Sequence, residues 1–570
     1  MNLKKDTFVP QFFKDIRNYS KTLFLHDLTA GIIVGIVALP LAIAFGIASG
    51  VSPTEGLITA IVGGFLVSLL GGSKVQIGGP TGAFIVIVFG IIQRHGIDGL
   101  ALATIMAGVI LLLLGFLRLG TVINFVPYPI IVGFTAGIAV TIFTTQIKDL
   151  LGLQLPYMPG DFLGKWKVYF AHLDTFNWIS LLFALLAIAI ILIAPRIHKK
   201  LPGSLVALVL LTIASYTLSQ CGLLRPENIG DNYSIGSVKL QLVAPIISLE
   251  RIQALIPSAF TIAMLGAIES LLSASVADGV IGTKHNSNSE LIGQGVANLV
   301  VPFLGGIPVT GAIARTMTNI NNGGKTPMAG IIHAVVLLLI LLFLSPLTAH
   351  IPMAALAGVL VVVSYNMSGW RSFIAIFSGP KGDSLVLVVT FLLTTLLDLT
   401  IAIGIGMVLA ILILLKRVLS VSKITLIDDG QQSIDTPREP ELDLPSCIEV
   451  YEINGPFFFG IANRFEDIMN ERHKNLRVRI VRMRRVPFVD TTAIHNLKTM
   501  IHLHNREHTQ IILSGVQPEV YKTLQQAGVI ELLGEENVTS NIAEARQRAF
   551  AFIEENHPED FEQLRKSYCL

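Results

Sequence analysis

"VQIGGPTGAF", residues 75–84, and "LGGIPVTGAI", residues 304–313, share one pattern: Gly-Gly, then Pro, then Thr-Gly-Ala. Each stretch opens an apolar segment of only about 12 to 16 residues, whereas a helix needs roughly 20 residues to cross the hydrocarbon layer of a membrane. Glycine lets backbone segments approach closely, and proline fits near a helix start. We therefore predict that each segment is a half-helix that begins inside the membrane.

The rest of the chain has the composition of a membrane protein. Of its 570 residues, 52% are hydrophobic and 14% are charged, against about 25% charged in ordinary soluble proteins. The first apolar segment begins near Thr29 and has no small-residue cleavage site after it, so we predict a permanent span and not a signal peptide. A net charge of +2 does not favour a nucleic acid as a partner.

We predict a polytopic α-helical membrane protein with about fourteen spans. Their bounds are 29–50, 55–72, 78–93, 98–118, 125–147, 177–195, 202–221, 255–278, 289–304, 309–320, 328–347, 350–366, 383–397 and 399–418. With a cytoplasmic N-terminus, most basic loops lie on the cytoplasmic side, although the external loop from Lys148 to Phe176 also carries lysines. We expect a multi-pass protein of the cell (inner) membrane with both termini in the cytoplasm.

The two matched stretches lie seven predicted spans apart. Because seven is odd, the two sets of seven spans would have opposite orientations, which is the arrangement of an inverted repeat. Two half-helix starts would then face each other near the midplane, each with free amide groups and about half a positive charge. The gap between them is predicted to bind an anion, with Thr81 and Thr310 as candidate helix caps.

Arg315 lies in the second half-helix with no acidic residue near it in sequence. A planar guanidinium suits carboxylate and oxyanion geometry, so we interpret Arg315 as the fixed cation of an anion site. The alternative is a permanent salt bridge to Glu269 in the eighth predicted span, and the two roles can alternate. Glu269 is also the candidate coupling residue: it could take up H⁺, or bind Na⁺ with Ser273 and Thr81 as oxygen ligands. We expect no other cofactor and no resident metal.

Composition changes after "LLKRVLSVSK", residues 414–423, where charged residues become frequent. The predicted domains are a cytoplasmic segment at 1–28, a transport domain at 29–419, a linker at 420–446, an α/β domain at 447–555 and a tail at 556–570. In the α/β domain we predict strands at 447–453, 477–483 and 509–515, and helices at 464–473, 490–506, 518–528 and 542–556.

Histidines and cysteines in the sequence do not indicate a metal site. Four histidines of the α/β domain share no helical face with carboxylates, and we interpret them as surface residues: His495, His502, His504 and His508. The three cysteines, Cys221, Cys447 and Cys569, have neither a metal-ligand spacing nor a disulfide framework.

Two longer motifs make the chain resemble the SulP family of anion transporters, related to the mammalian solute carrier 26 proteins. "SPTEGLITAIVGGFLVSLLGGSK", residues 52–74, is similar to the family signature that ends in Gly-Ser-Lys, although Glu55 and Ile58 stand where tyrosines are usual. "GTKHNSNSELIGQGVANLVVPFLGGI", residues 282–307, is similar to the family's segment between the eighth and tenth spans. The bacterial branch of dicarboxylate and bicarbonate carriers is the most similar.

This resemblance implies seven plus seven spans as an inverted repeat, with a core domain, a gate domain used for dimer contact, elevator-like movement of the core and a cytoplasmic STAS domain. The site residues that it implies are Phe45, Gly79, Thr81, Gly82, Ala83, Gly311, Ala312, Ala314 and Arg315. Sulfate-type members often have glutamine after the first-span proline, whereas Leu41 follows Pro40 here, which disfavours sulfate.

The STAS part is similar to anti-sigma factor antagonists. Its stretch "VPFVDTTAIHNL", residues 486–497, places Thr492 where soluble relatives have a phosphorylated serine. Thr492 is therefore a candidate regulatory site that could serve a cytoplasmic partner. The alternative is that Asp490 or Thr491 only caps the following helix.

The leading functional hypothesis is secondary active transport of a small inorganic or carboxylate anion, such as a dicarboxylate, bicarbonate or sulfate, with H⁺ or Na⁺ carried alongside. The sequence has no GxxxxGK[ST] motif for ATP, and no nucleophile, base and orienting group share a motif, so we do not expect an enzyme. An anion channel and an anion sensor that signals through the STAS domain are the alternatives. Membrane lipid and a second copy of the chain are the expected partners.

Overall fold

The computed structural model describes residues 8–121, 126–197, 202–221, 225–233, 245–397, 399–427, 444–469 and 476–562. Several predictions fall partly on other residues: the ends of the chain, Cys569, most of the linker and the end of the helix predicted at 464–473 lie outside the described residues. The chain forms two compact units, Met1–Ala410 and Ile411–Leu570.

The first unit is built from helices and two very short strands. The helices are α1 Gln11–Asp15, α2 Lys21–Ala48, α3 Pro53–Ile58, α4 Gly64–Leu70, α5 Ile85–Phe116, α6 Tyr128–Leu151, α7 Phe162–Ala171, α8 Trp178–Ile197, α9 Gly203–Gln220, α10 Ile229–Asn232, α11 Leu249–Ile281, α12 Ser287–Val300, α13 Ile313–Asn321, α14 Met328–Thr348, α15 Met353–Met367, α16 Trp370–Phe377, α17 Lys381–Leu396 and α18 Leu399–Val421, which continues into the second unit. The strands are β1 Gly78–Gly79 and β2 Thr310–Gly311.

The predicted helical membrane fold is confirmed, and each predicted span overlaps one of these helices. Within the described residues, nine helices are long and apolar enough to cross a membrane. Helix α5 is one of the nine, but Gly96 has a non-helical φ of 71° and ψ of −176° inside it. Gly96 therefore divides α5 into the two stretches that we predicted as separate spans, and the number of fourteen crossings stays a prediction.

The helices of the first unit pack in two groups. Helices α2 to α5 pack with α11 to α14, and α6, α8 and α9 pack with α15 to α17. Small residues allow close contact within a group: a Cβ on Gly108 of α5 would lie 2.8 Å from the carbonyl oxygen of Gly295 on α12. We name the first group the core and the second the gate, the two parts that the resemblance implies.

Strands β1 and β2 cross in the core. They pair antiparallel, with Gly78 opposite Gly311 and Gly79 opposite Thr310. A helical turn at Gly82–Phe84 follows β1 and leads into α5, and α13 begins at Ile313 directly after β2. Neither matched stretch is an unbroken transmembrane rod, because each is extended at the crossing and helical only beyond it.

The second unit contains an α/β domain. Its strands are β3 Lys423–Ile427, β4 Ile448–Asn454, β5 Val478–Arg485, β6 Gln510–Ser514 and β7 Val538–Thr539, and its helices are α19 Phe459–Met469, α20 Thr491–Arg506, α21 Pro518–Gln526, α22 Val529–Leu533 and α23 Ile542–Asn556. The sheet order is β3-β4-β5-β6-β7. The first pair is antiparallel and the other pairs are parallel.

The predicted strands and helices of this domain are present, but the structure adds β3, β7 and α22. Strand β3 lies in the segment that we predicted as a linker and pairs with β4. Such short elements of two to five residues carry little periodic signal of their own. Their conformation depends on a partner strand or helix that sequence reasoning did not place beside them.

Candidate functional site

The two helix starts at the β1–β2 crossing have no side-chain caps. Thr81 precedes the Gly82–Phe84 turn with an extended backbone, and Ala312 does the same before α13. Within the described part of the chain, neither N-cap residue makes a side-chain hydrogen bond to the first amide groups of its helix. These amide dipoles therefore give each start a positive partial charge that is free to act on a ligand.

The prediction that Thr81 and Thr310 cap these helices was wrong. Thr81 Oγ1 donates to Glu269 Oε2 at 2.8 Å, and Thr310 Oγ1 donates to the carbonyl oxygen of Gly266 at 2.9 Å. Gly266 and Glu269 are three residues apart on α11, so one face of that helix binds both threonines. The hydroxyls are used to hold α11 against the crossing, which leaves the helix starts open.

Arg315 is buried at this crossing, with only 2% of its surface exposed. A Cβ on Gly79 would overlap Arg315 Nη1, so glycine at this position makes room for the guanidinium. Nη1 and Nη2 have no hydrogen-bond partner among the residues that the structure describes. Within the described residues Arg315 forms no ion pair, so the permanent salt bridge to Glu269 that we considered is absent from this structure.

An apolar wall from both helix groups faces the first helix start. A Cβ on Gly82 would lie 2.9 Å from Met367 Sδ, 3.1 Å from Ile142 Cδ1 and 3.5 Å from Phe45 Cε1. Phe45 belongs to the core, whereas Ile142 and Met367 belong to the gate. The helix start therefore lies where core and gate meet, next to apolar side chains of both groups.

The remaining predicted site residues surround the same crossing. Ala83 and Ala312 are buried, with 4% and 8% exposed, while Ala314 is exposed at the start of α13. A Cβ on Gly311 would overlap the side-chain amide of Gln76, which is itself buried. Small residues are thus required where the two strands and their polar neighbours are in contact.

The three oxygen-bearing residues predicted to bind a coupling ion are not all in contact. Thr81 and Glu269 share a hydrogen bond, but Ser273 Oγ donates to Thr316 Oγ1 on α13 at 3.3 Å. Thr316 Oγ1 also accepts from the backbone amide of Ile77 at 3.1 Å. Among the described residues there is no group of three or more His, Cys, Asp or Glu side chains that could hold a metal ion.

Sequence reasoning missed a buried carboxylate next to the crossing, Glu290 of α12, which is 0% exposed. It accepts hydrogen bonds from the amides of Gly72 at 2.8 Å and Ser73 at 3.2 Å, from Gln76 Nε2 at 2.9 Å, from Ser270 Oγ at 3.1 Å and from Gln294 Nε2 at 3.0 Å. These donors come from α11, α12 and the segment before β1, so Glu290 holds the approach to β1 in place. An acidic residue inside the ninth predicted span was the available signal.

Two asparagines satisfy backbone groups of the irregular segments and were also missed. Asn298 donates through Nδ2 to the Val309 carbonyl at 2.8 Å and accepts from the Val309 amide at 3.0 Å. Asn319 Nδ2 donates to the carbonyl of Val75 at 2.8 Å. Non-helical backbone at membrane depth requires such partners, because lipid offers none.

In the α/β domain, Asp490 caps α20 by accepting from the amide of Ala493 at 2.8 Å. Thr492 is the second residue of α20 and is partly exposed, and its phosphorylation stays a prediction.

The interpretation of His504 as a surface residue was wrong, because only 2% of it is exposed. Its Nε2 accepts from Arg479 Nη1 at 2.8 Å, and its Nδ1 donates to the Met500 carbonyl at 2.9 Å. Burial lowers the pKa of His504, and the nearby Arg479 guanidinium acts in the same direction.

This fold and this site define a polytopic helical membrane protein with two half-helix starts that follow a pair of crossed strands, and with a C-terminal α/β domain. The family model of the sulfate permease family matches residues 24–390, and that of the STAS domain matches residues 439–545. The chain therefore belongs to the sulfate permease family.

Known relatives match along most of the chain. It is 40% identical to "Putative sulfate transporter YvdB" of Bacillus subtilis, over 92% of this chain and 98% of the relative. It is 32% identical to "Bicarbonate transporter BicA" of Picosynechococcus, over 88% of this chain and 90% of the relative.

Solved structures match as well. The transmembrane domain of a cyanobacterial BicA has a TM-score of 0.61 and 32% identity, and the match covers 69% of this chain and 98% of that one. The murine solute carrier 26 family member A9, in its inward-facing state, has a TM-score of 0.84 at 19% identity, covering 97% of this chain and 96% of that one. At that identity the second match supports the fold alone.

Proposed function

We propose that this chain is a secondary active transporter of a small anion, which binds between the start of α5 and the start of α13. The observation that carries the proposal is the buried guanidinium of Arg315 beside two helix starts without side-chain caps; its Nη1 and Nη2 have no partner in the described ranges of the chain. A buried charge without a partner is costly in an apolar surrounding. An anion that binds and leaves is a partner that offsets this cost.

The charge at the crossing suits an oxyanion or a carboxylate. Each helix start contributes about half a positive charge, and the guanidinium adds a full charge with fixed donors. Membership of the sulfate permease family supports an anion as substrate. YvdB and BicA are named for sulfate and bicarbonate, respectively, which makes these two anions and small dicarboxylates the substrates to test.

Coupling to H⁺ or Na⁺ is proposed to act through Glu269. Its carboxylate accepts from Thr81, the residue that precedes the first helix start, so its ionisation state acts directly on the site. A protonated Glu269 would place one negative charge fewer beside the anion and favour its binding. Na⁺ bound to the Glu269 and Thr81 oxygens would have the same electrostatic effect, with Ser273 as a further ligand after rotation of its side chain.

We further propose that access alternates by movement of the core against the gate, and that the gate forms the contact of a homodimer. Both helix starts, Arg315 and Glu269 are in the core, and the gate contributes the apolar side chains of Ile142 and Met367 next to the first helix start. A core that carries all the polar binding groups can move as one body with its ligand.

Uptake into vesicles tests this function. Purified chain in proteoliposomes is assayed with radiolabelled sulfate, bicarbonate and succinate, with H⁺ and Na⁺ gradients imposed separately. We expect at least one anion to accumulate above its external concentration when one of the two gradients is present. Uptake that only equilibrates would favour the channel, and no uptake of any anion would contradict transport.

A further inference from the structure

A cavity lies between core and gate, and no residue of β1 or β2 is among those that line it. Its volume is about 380 Å³, and its lining includes Ala48 at the end of α2, Phe89 of α5 and Gln146 of α6. Because α2 runs from Lys21 to Ala48, this cavity is on the side of the membrane opposite the N-terminal segment. If that segment is cytoplasmic, as the sequence predicts, the cavity is on the outer side.

Lys165 is the unusual residue of this cavity. It belongs to α7, a short helix in the loop between α6 and α8, and only 3% of its surface is exposed. Among the described residues it forms no ion pair, and its ammonium lies 5.0 Å from the centroid of the Phe89 ring. Asp161, which caps the start of the same helix, is close enough to act on this ammonium electrostatically but forms no ion pair with it. A buried ammonium without an ion-pair partner among the described residues can accept an anionic partner.

Two helices that line the cavity, α2 and α6, also contact the first helix start. Ala44 lines the cavity and is followed in α2 by Phe45, which is in contact with the first helix start. Thr145 and Gln146 line the cavity one helical turn beyond Ile142, which covers the same start. The cavity therefore lies along the same two helices as the first helix start.

We propose that Lys165 forms an outer binding site for the transported anion, where the anion is held before it reaches the central site. Lys148 lines the same cavity and adds a second positive charge, and Asp149 adds one negative charge. This role also accounts for Lys148 and Lys165, two of the three lysines of the loop from Lys148 to Phe176 that do not follow the positive-inside pattern. The proposal rests on the anion transport proposed above.

Lys167 provides a matched control, because it lies on the same helix but is exposed and does not line the cavity. Lys165→Gln, Lys165→Arg and Lys167→Gln are compared with the wild type in whole cells and in inverted vesicles, with whichever anion of the panel is transported. Lys165→Gln is expected to raise KM about tenfold from the face that opens to the cavity, since a charge-assisted contact is lost. KM from the opposite face, and KM of Lys167→Gln from both faces, should stay within about twofold of wild type. Lys165→Arg should stay close to wild type because it keeps the charge.

Two results would overturn the outer site alone: an unchanged KM in Lys165→Gln, or an equal rise of KM from both faces, which would indicate a structural role. If the wild-type chain transports none of the anions, the proposed function and the outer site fall together. The wild-type measurement therefore distinguishes failure of transport from failure of this site.

Discussion

Thr81 and Glu269 are joined by a 2.8 Å hydrogen bond from Oγ1 to Oε2, which connects the first half-helix start to α11. Thr310 makes the corresponding contact from the second strand, to the carbonyl oxygen of Gly266 on the same helix. Helix α11 thus contacts both half-helix segments, and its one carboxylate at this level is next to the proposed anion. Proton or cation binding at Glu269 and anion binding at the crossing are therefore expected to be coupled.

Replacing Glu269 by glutamine tests this coupling. The amide keeps the shape and can still accept from Thr81, but it can neither take up H⁺ nor attract Na⁺. We expect Glu269→Gln to exchange anion across the membrane while losing accumulation under either imposed gradient. Glu250→Gln is the control, because Glu250 is exposed at the start of the same helix. This variant should accumulate anion as the wild type does. Accumulation by Glu269→Gln would exclude this carboxylate as the coupling group.

The contact between Gly79 and Arg315 leads to a second prediction. Gly79→Ala adds a Cβ that overlaps Nη1, so the guanidinium must move from the crossing. We expect KM for the anion to rise by about tenfold or more, as for the loss of a charge-assisted contact. Gly90→Ala is the control, because a Cβ at Gly90 meets no atom within 4 Å. That variant should transport normally, and equal transport by both variants would show that the guanidinium does not need the space at Gly79.

Glu290 is predicted to act on stability and not on coupling. The Glu290 carboxylate accepts from the amides of Gly72 and Ser73 and from Gln76 Nε2. In Glu290→Gln, one carboxylate oxygen becomes an NH₂ group, which is itself a donor, so some of these donors lose their acceptor. A loss of about 1–3 kcal/mol is expected from such unsatisfied buried donors. The apparent Tm of the purified chain should fall, whereas Glu250→Gln should leave it unchanged. An unaltered Tm in Glu290→Gln would mean that the segment before β1 is held by other contacts.

His504 predicts a pH dependence in the α/β domain. Because burial lowers its pKa in the folded state, protons bind the unfolded state more strongly. Stability is then complete above the unfolded pKa of about 6.5 and decreases as the pH falls below it. Hydrogen exchange of the α20 amides in the full chain should show less protection at pH values below about 6 than above about 7. His504→Gln should reduce this difference in protection between low and high pH, whereas His502→Gln, at an exposed position of the same helix, should keep it. Wild-type protection that does not change with pH would contradict the proposed role of His504.

The helical segments could be predicted from the sequence because hydropathy is a local signal. The interrupted helices at residues 75–84 and 304–313 could be predicted because the shared Gly-Gly, Pro and Thr-Gly-Ala pattern is local as well. The sequence did not predict that Thr81 and Thr310 bond to α11, since the acceptors at Glu269 and Gly266 lie about 190 and 44 residues away in the chain. The roles of Glu290, Asn298 and Asn319 depend equally on packing between distant segments. For β3 and β7, the partner strand decides the conformation, and a short strand alone does not indicate its partner.

Substitutions of Arg315 test most directly whether the anion binds between the two helix starts. Arg315→Ala removes the guanidinium, and Arg315→Lys keeps a charge but loses the planar pair of donors. Arg196→Ala, at the exposed end of α8, is the control for loss of a surface arginine.

The deciding measurement is the saturation curve of the transported anion for these variants in proteoliposomes. We expect Arg315→Ala to raise the half-saturating concentration by about tenfold or more, Arg315→Lys to lie between that value and wild type, and Arg196→Ala to be unchanged. Superimposable saturation curves for wild type, Arg315→Ala and Arg315→Lys would contradict the claim that the anion binds at Arg315 between the two helix starts.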